Sequence, residues 1–268
     1  MLKVGIIGYG TVGRDVARSI AAGEAGDARL DAVLVRDLEK VRDVSIPGCV
    51  FTDNTDEFLG KALDVVVEAA GHNGVIAYAE PVLRSGSDFI VTSVGAFCDQ
   101  ELYDRVVAAC RESGRQVVVP SAAVAGLDRV AAGAQGRLDN VTLVTRKPVK
   151  AWRGTFAEEV VDLDTVAEPV CIFEGSARDS ARTFPESVNV SAAVSLAGIG
   201  FEKTAVNVYV DPTINSNTHV VIAKGEFGEL KVEISNTPSA TNPKTGYIVA
   251  MSIAKVIKGY TAPFVLGV

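Results

Sequence analysis

A short apolar run followed by a glycine-rich turn opens the chain, where residues 4–13 read Val4-Gly5-Ile6-Ile7-Gly8-Tyr9-Gly10-Thr11-Val12-Gly13. The spacing GxGxxG, after a strand-like run and before a helical pattern, is typical of a dinucleotide-binding βαβ unit. Gly8 permits the tight turn, Gly10 lets the backbone approach a pyrophosphate, and Gly13 lets the helix pack closely on the strand. We therefore predict that a dinucleotide binds to the whole turn, which consists of Gly8, Tyr9, Gly10, Thr11, Val12 and Gly13.

The remainder of the first 120 residues alternates between short apolar runs and helical patterns. Strands are predicted at Asp31–Val35, Asp64–Glu68, Asp88–Thr92 and Gln116–Val119, and helices at Val12–Ala22, Val75–Ser85 and Gln100–Ser113. Near-continuous apolar runs are typical of parallel strands that are buried on both faces. The pattern predicts an α/β domain with a Rossmann-type, doubly wound parallel sheet.

The pattern changes after Pro120. Apolar and polar residues alternate with period two around Val206–Val210 and Leu230–Ile234, which predicts a mostly antiparallel sheet. Helices are predicted at Ser176–Phe184, Asn189–Ala197 and, in the tail, Thr245–Lys258. We expect a dinucleotide-binding domain over 1–120, completed by the C-terminal helical region 242–268, and a second, α+β substrate and dimerisation domain over 121–241.

Two charged residues and two alanines extend the predicted cofactor site. The second strand leads into Arg36 and Asp37, and Asp37 lies 24 positions beyond Gly13. An acidic residue about 20 positions past the glycines accepts ribose hydroxyls of NAD, whereas an arginine there pairs with the 2′-phosphate of NADP. The cofactor is therefore NAD or NADP. Ala69 and Ala70 follow the strand that ends at Glu68, where small residues let the backbone approach the nicotinamide ribose.

His72 follows these alanines and has two interpretations. It either caps a helix or faces solvent, or it donates a hydrogen bond to a ribose or phosphate oxygen of the cofactor.

The composition excludes several other classes of protein. The net charge is −7, whereas nucleic-acid binding needs a basic surface. No apolar run approaches the ~20 residues of a membrane span, so no membrane partner is expected. The first strand begins directly after Met1, which predicts a cytoplasmic protein without a signal peptide. Four scattered cysteines and two distant histidines predict free thiols and no metal site.

His219 is the strongest candidate for a catalytic residue. It is one of only two histidines and lies between the polar stretch 211–218 and a strand-like run. Hydride transfer requires a group that handles protons, and the ordinary pKa of histidine, about 6.5, suits this task near neutral pH. The glycine turn and this histidine together predict a dehydrogenase.

Three polar residues are weaker candidates. Asn189 lies where a helix begins, and its amide either caps that helix or binds a carboxamide such as that of nicotinamide. Lys244 and Thr245 precede the last helix, with Thr245 as its cap. A lysine near the positive end of a helix is electrostatically unfavourable, which favours an anionic substrate group there.

These elements together resemble the L-aspartate dehydrogenase family over essentially the whole chain. Besides the glycine turn, the resemblance rests on motifs at Pro120-Ser121, Gly126-Leu127-Asp128, Phe184-Pro185, Asn189-Val190, Asp211-Pro212, Asn217-Thr218-His219 and Asn242-Pro243-Lys244-Thr245. The resemblance departs from the usual family pattern at four positions, where this chain has Ala122, Ala125, Ser187 and Gly246.

The resemblance implies oxidative deamination of L-aspartate to iminoaspartate, and then to oxaloacetate and ammonia, with NAD or NADP. It implies that Ala123 and Asn189 contact the cofactor, that His219 is the active-site residue and that the chain forms a homodimer. It also implies a link to NAD biosynthesis.

Two alternatives stay open at this point. One is an oxidoreductase similar to homoserine dehydrogenase or dihydrodipicolinate reductase, which share the two-domain plan. The other is a redox sensor that binds NAD(P)H without catalysis.

Overall fold

The computed structural model describes residues 1–184, 187–239 and 245–267. The chain divides into two compact units. The first unit comprises Met1–Ala122 and Ile248–Val268, and the second comprises Ala123–Tyr247.

The elements are numbered here in chain order. The strands are β1 (Leu2–Ile7), β2 (Ala28–Leu34), β3 (Val50–Thr52), β4 (Val65–Glu68), β5 (Asp88–Val91), β6 (Val117–Val118), β7 (Leu138–Lys147), β8 (Val170–Ser176), β9 (Ala205–Val210), β10 (Thr218–Gly225) and β11 (Gly228–Ser235). The α-helices are α1 (Thr11–Ala21), α2 (Thr55–Leu59), α3 (His72–Arg84), α4 (Gln100–Ser113), α5 (Leu127–Gly133), α6 (Ala157–Val160), α7 (Ala177–Thr183), α8 (Val188–Ala197) and α9 (Ile248–Thr261). Short 3-10 helices occupy Leu38–Val41, Val94–Cys98 and Val149–Ala151.

The first unit is built on a six-stranded sheet in the order β3-β2-β1-β4-β5-β6, with parallel pairing throughout. Its central strands are apolar on both faces, and Val65, Val66 and Val67 of β4 are fully buried. Strand order reverses between β1 and β4, where α/β sheets bind ligands beyond the carboxyl ends of the strands. The predicted Rossmann-type sheet is confirmed.

Helix α9 packs against α1 in the first unit. The shared core contains Ile253 and Ile257 of α9 together with Val16 and Ile20 of α1. The helix begins at Ile248, three residues later than the predicted start at Thr245. Backbone bonds explain the difference, because the Ser239 N–H donates to the carbonyl of Thr245 and holds that residue outside the helix.

The second unit contains a five-stranded sheet in the order β11-β10-β7-β9-β8. All neighbouring strands are antiparallel except β7 and β9, which are parallel. The alternation predicted from the sequence appears in β9, where Val206, Val208 and Val210 are buried and the residues between them are partly exposed. The mostly antiparallel sheet is confirmed.

Within the described residues, no helix has both the length and the apolar character needed to cross a membrane.

Candidate dinucleotide and histidine sites

Two glycines of the first turn are required by packing. Gly8 has φ +94°, and a Cβ atom there would lie 2.5 Å from the carbonyl oxygen of Ala69. A Cβ atom on Gly13 would lie 2.2 Å from the carbonyl oxygen of Gly8. The absence of side chains at both positions lets the turn pack against the loop after β4 and lets α1 begin close to β1.

Gly10 differs from these two glycines because it borders open space. It is exposed, it precedes α1 with φ −78°, and a Cβ atom there would meet no heavy atom within 4 Å. Thr11 and Val12 begin α1, so their backbone N–H groups lie at the positive end of the helix. This cradle beside a helix N-terminus fits a pyrophosphate group.

The neighbouring candidates lie just beyond β2 and around the turn. The Tyr9 ring packs edge-on against Phe51 with centroids 5.0 Å apart. The Asp37 carboxylate accepts the Glu39 N–H at 3.1 Å and lies 3.5 Å from Lys40 Nζ, while Arg36 is exposed. Asp37 therefore caps a 3-10 helix, and one of its oxygens already receives a backbone donor.

A buried glutamate that the sequence analysis did not select organises the loops after β4 and β5. Glu68 is fully buried, and its Oε1 accepts the backbone N–H groups of Ala70 and Gly71, both at 2.7 Å. Its Oε2 accepts the N–H groups of Thr92 at 3.3 Å and Ser93 at 2.9 Å. An acidic residue at the end of an otherwise apolar strand was the sequence signal for this anchor.

The loop held by Glu68 contains the two predicted alanines. Ala69 is partly exposed and Ala70 is exposed, so their backbone lies at the carboxyl edge of the sheet. His72 is the first residue of α3, directly after Gly71, whose φ is +85°. The helix therefore begins at His72, three residues earlier than predicted.

His219 lies in the second unit, on β10, and is only 6% exposed. It pairs directly with Thr145 of β7, and the Thr145 hydroxyl lies 3.1 Å from its Nδ1 atom. The Nε2 atom of the ring has no hydrogen-bond partner within residues 1–184, 187–239 and 245–267. One ring nitrogen is thus fixed by the protein, and the other is available to a ligand.

The surroundings of His219 favour the neutral imidazole. Burial, followed by the positive charge of Lys147, lowers the pKa of His219 from 6.5 to about 4. Since desolvation and a nearby cation both oppose protonation, the ring is uncharged at neutral pH.

Lys147 is a second site residue that the sequence analysis did not identify. Its Nζ donates to Ser187 Oγ at 2.5 Å and lies 4.8 Å from the centre of the Trp152 ring. Its pairing partner on β9 is Val210, and Thr145 precedes it by two residues on β7. The strand β7 was not predicted, so no sequence signal connected this lysine with His219.

The other sequence-predicted residues of the second unit lie around this end of its sheet. The Ala123 carbonyl accepts Asn236 Nδ2 at 2.8 Å, and the Asn236 N–H donates to Asn217, two residues before His219. Asn189 lies in the first turn of α8, two residues after Ser187. The N-cap is Ser187, so the interpretation of Asn189 as the N-cap is wrong.

Of the two residues predicted near the start of the last helix, Thr245 is described by the structure and Lys244 is not. Thr245 lies three residues before α9, so it does not cap that helix, and its carbonyl accepts the Ser239 N–H at 2.7 Å. Lys244 lies outside the described residues.

One of the departures from the family pattern, Ala122, has a backbone conformation that is unfavourable for a residue other than glycine. Ala122 has φ +48°, in the left-handed region that favours glycine, and its N–H donates to Ser252 Oγ at 3.0 Å.

His219 is expected to make the protein less stable in mild acid. Its pKa falls from 6.5 to about 4 on folding, so the folded state binds fewer protons than the unfolded state between these values. The free energy of unfolding is therefore highest at pH values above the unfolded pKa, and it decreases as the pH falls towards the folded pKa. The expected loss of unfolding free energy from this side chain is roughly 3 kcal/mol.

Denaturant unfolding across this pH range checks the expectation. The control is His219→Asn, which removes the titrating ring and should flatten this part of the pH dependence. Parallel pH profiles for the two proteins would contradict the assignment.

Two family models match different parts of the chain. Residues 128–260 match the family model described as aspartate dehydrogenase, C-terminal. Residues 8–120 match the model described as homoserine dehydrogenase, NAD binding domain.

Individual relatives match over nearly the whole chain. An L-aspartate dehydrogenase of Brucella anthropi is 36% identical over 261 residues, which is 97% of each chain. L-aspartate dehydrogenase 2 of Bordetella bronchiseptica is 38% identical over 266 residues, which is 99% of each chain.

Solved structures share the fold. The aspartate dehydrogenase of Thermotoga maritima matches with a TM-score of 0.80 and 24% identity over 99% of both chains. A hyperthermophilic archaeal homoserine dehydrogenase, solved with NADPH, matches with a TM-score of 0.60 and 13% identity over 98% of both chains.

Proposed function

From the premise that this chain belongs to the L-aspartate dehydrogenase family, we propose that it oxidises L-aspartate to iminoaspartate with NAD or NADP. Water then converts the imine to oxaloacetate and ammonia. The observation that carries the proposal is the match of residues 128–260 to the aspartate dehydrogenase C-terminal model, because this region contains His219.

The first unit supplies most of the proposed cofactor contacts. The turn from Gly8 to Gly13 receives the pyrophosphate, which the open space beside Gly10 supports. The remaining proposed cofactor contacts are Arg36, Asp37, Ala69, Ala70, Ala123 and Asn189. Bound NAD(P)⁺ supplies the acceptor for the hydride that leaves the substrate Cα.

His219 handles the protons of the reaction. Departure of the Cα hydride converts the neutral amine into an iminium ion, and the Nε2 lone pair accepts either the iminium proton or a proton from the water that attacks the carbon. The tautomer suited to both roles carries its own proton on Nδ1 and donates it to Thr145 Oγ1. A buried neutral ring supports this role, because its lone pair is not already protonated at neutral pH.

The further parts of the proposal rest on the sequence alone. Lys244 and Thr245 contribute to the grip on a substrate carboxylate, and the enzyme is a cytoplasmic homodimer that supplies iminoaspartate for NAD biosynthesis.

Homoserine dehydrogenase is the second candidate function, because the model of its NAD-binding domain matches residues 8–120. That region binds the cofactor in either enzyme, so it does not distinguish the substrates. The match of the second unit favours aspartate.

The test is the absorbance of reduced cofactor with L-aspartate and NAD⁺ or NADP⁺ supplied separately, with D-aspartate and L-homoserine as control substrates. Reduction that depends on L-aspartate supports the proposal. The ratio of the rates with NAD⁺ and NADP⁺ shows whether Asp37, which favours NAD, or Arg36, which favours NADP, determines the cofactor preference. Reduction with L-homoserine alone would assign the second function. Tight binding of NAD(P)H without turnover of any amino acid would instead favour the sensor.

A further inference from the structure

A cavity of about 350 Å³ lies in the first unit, between α1 and the segment that follows β2. Its polar lining residues are Tyr9, Arg14, Arg18 and Lys40, and the rest of its wall consists of alanine, valine and isoleucine. Three of these residues are cations, and no carboxylate of the described residues lines the cavity. This composition suits a phosphate group, which both arginine and lysine bind well.

The position of the cavity indicates which part of a dinucleotide would reach it. Tyr9 belongs to the glycine turn, and Lys40 belongs to the 3-10 helix just beyond β2. In this fold the ribose of the adenosine half lies at the end of the second strand. The cavity therefore extends from the proposed pyrophosphate site towards that ribose. The phosphate that distinguishes NADP from NAD is attached to the 2′ oxygen of the same ribose.

Arg14 is oriented by the glycine turn itself. Its Nε atom donates to the Tyr9 carbonyl at 3.1 Å, and its guanidinium carbon lies 6.0 Å from the centre of the Tyr9 ring. No carboxylate pairs with this arginine within the described residues, whereas Arg18 pairs with Asp15 at 3.0 Å. The two terminal nitrogens of Arg14 can therefore donate the pair of parallel hydrogen bonds that a phosphate accepts.

Lys40 weakens the repulsion that Asp37 would exert on a 2′-phosphate. The Asp37 Oδ1 atom accepts the Glu39 N–H, and its Oδ2 atom lies 3.5 Å from Lys40 Nζ. Both oxygens thus have a partner, and the ion pair offsets the negative charge of the carboxylate. The Lys40 side chain is 81% exposed, so the pair contributes little stability and the lysine can turn towards an anion in the cavity.

We propose that Arg14 and Lys40 bind the 2′-phosphate of NADP(H) in this cavity and give the chain a preference for NADP over NAD. The inference rests on the part of the proposed function that places a dinucleotide on the glycine turn, and it does not depend on the amino-acid substrate. Lys40 acts in two ways, because it attracts the phosphate and also occupies the Asp37 carboxylate, which would otherwise accept the ribose hydroxyls of NAD.

The nucleotides 2′,5′-ADP and 5′-AMP are suitable probes, because they differ only in the 2′-phosphate and neither can accept a hydride. Calorimetric titration of the wild type should show that 2′,5′-ADP binds about 10- to 100-fold more tightly, the usual effect of hydrogen bonds to a charged group. Arg14→Met should lose most of this difference and keep its affinity for 5′-AMP. If Arg14→Met fails to fold, Arg14→Gln provides the same comparison.

Lys40→Gln gives a readout that a purely structural role would not produce. We expect it to weaken NADPH binding and to strengthen NADH binding, each by about 2- to 5-fold, because it removes one exposed charge and frees Asp37. The fluorescence of each reduced cofactor measures its binding. The matched control is Arg42→Gln, because Arg42 pairs with Glu39 and Asp43 and does not line the cavity. This control should leave the ratio of the two affinities unchanged.

The outcomes separate this inference from the proposed function. Equal affinity of the wild type for 2′,5′-ADP and 5′-AMP overturns the inference even if L-aspartate is oxidised with NAD⁺. An equal loss of both nucleotides in Arg14→Met also overturns it, because the arginine would then bind the pyrophosphate. A preference for NADPH that depends on Arg14 and Lys40 supports the inference even if no amino acid is oxidised.

Discussion

Replacing His219 by alanine is expected to lower kcat for L-aspartate by about 10²- to 10⁴-fold, the usual contribution of a general acid–base residue. The loss should fall mainly on kcat, because the cofactor turn belongs to the other unit and keeps its structure. Steady-state kinetics with saturating cofactor and direct titration of NAD(P)H binding measure the two effects separately.

Thr145→Val provides a graded control for this prediction. It keeps the imidazole but removes the hydroxyl that lies 3.1 Å from Nδ1, so the ring loses the partner that orients it. We expect a smaller loss of kcat than for His219→Ala, with little change in cofactor affinity. If His219→Ala kept most of its kcat and remained folded, the assignment of His219 would be wrong.

The second large effect is expected at Gly10. Alanine at this position should weaken NAD(P)⁺ binding by about 10- to 100-fold, because the methyl group displaces a pyrophosphate oxygen from backbone donors. The free energy of unfolding should not change, since the new Cβ atom would meet no protein atom within 4 Å and φ is −78°. Calorimetric titration with NAD(P)⁺ and denaturant unfolding measure these two quantities.

Gly13→Ala is the matched comparison. Its Cβ atom would lie 2.2 Å from the Gly8 carbonyl oxygen, so the turn itself must shift. We expect a loss of stability of about 1–3 kcal/mol, typical of overpacking, in addition to weaker cofactor binding. Unchanged cofactor affinity in Gly10→Ala would show that the pyrophosphate lies elsewhere.

Local patterns explain why much of the first unit could be predicted. The buried parts of β1, β4 and β5 consist mainly of Val and Ile, and the predicted bounds of α4 match the observed ones. The strand β3 has only three residues, too few for a period to emerge. In the second unit, β7 was missed although Val141, Leu143 and Thr145 alternate with more exposed residues, because its polar side chains obscure the period.

Some residues of the candidate site could likewise be predicted from local sequence, and others could not. Gly8, Gly10 and Gly13 act through backbone geometry within one turn, so their spacing alone carries the information. His219 could be identified because histidine is rare in this chain. Lys147 could not, because its proximity to His219 arises from the pairing of β7 with β10, which are distant in sequence.

Glu68 has a consequence for how the edge of the first sheet moves. Its two carboxylate oxygens each take backbone donors from a different loop, the one after β4 and the one after β5. If either loop moved alone, it would leave a fully buried carboxylate short of donors, at a cost of several kcal/mol. The loops after β4 and β5 are therefore coupled and move as one rigid segment at the edge of the sheet. The two loops are preorganised for the dinucleotide. Little conformational entropy of the loops is therefore lost on that side of the sheet when the dinucleotide binds.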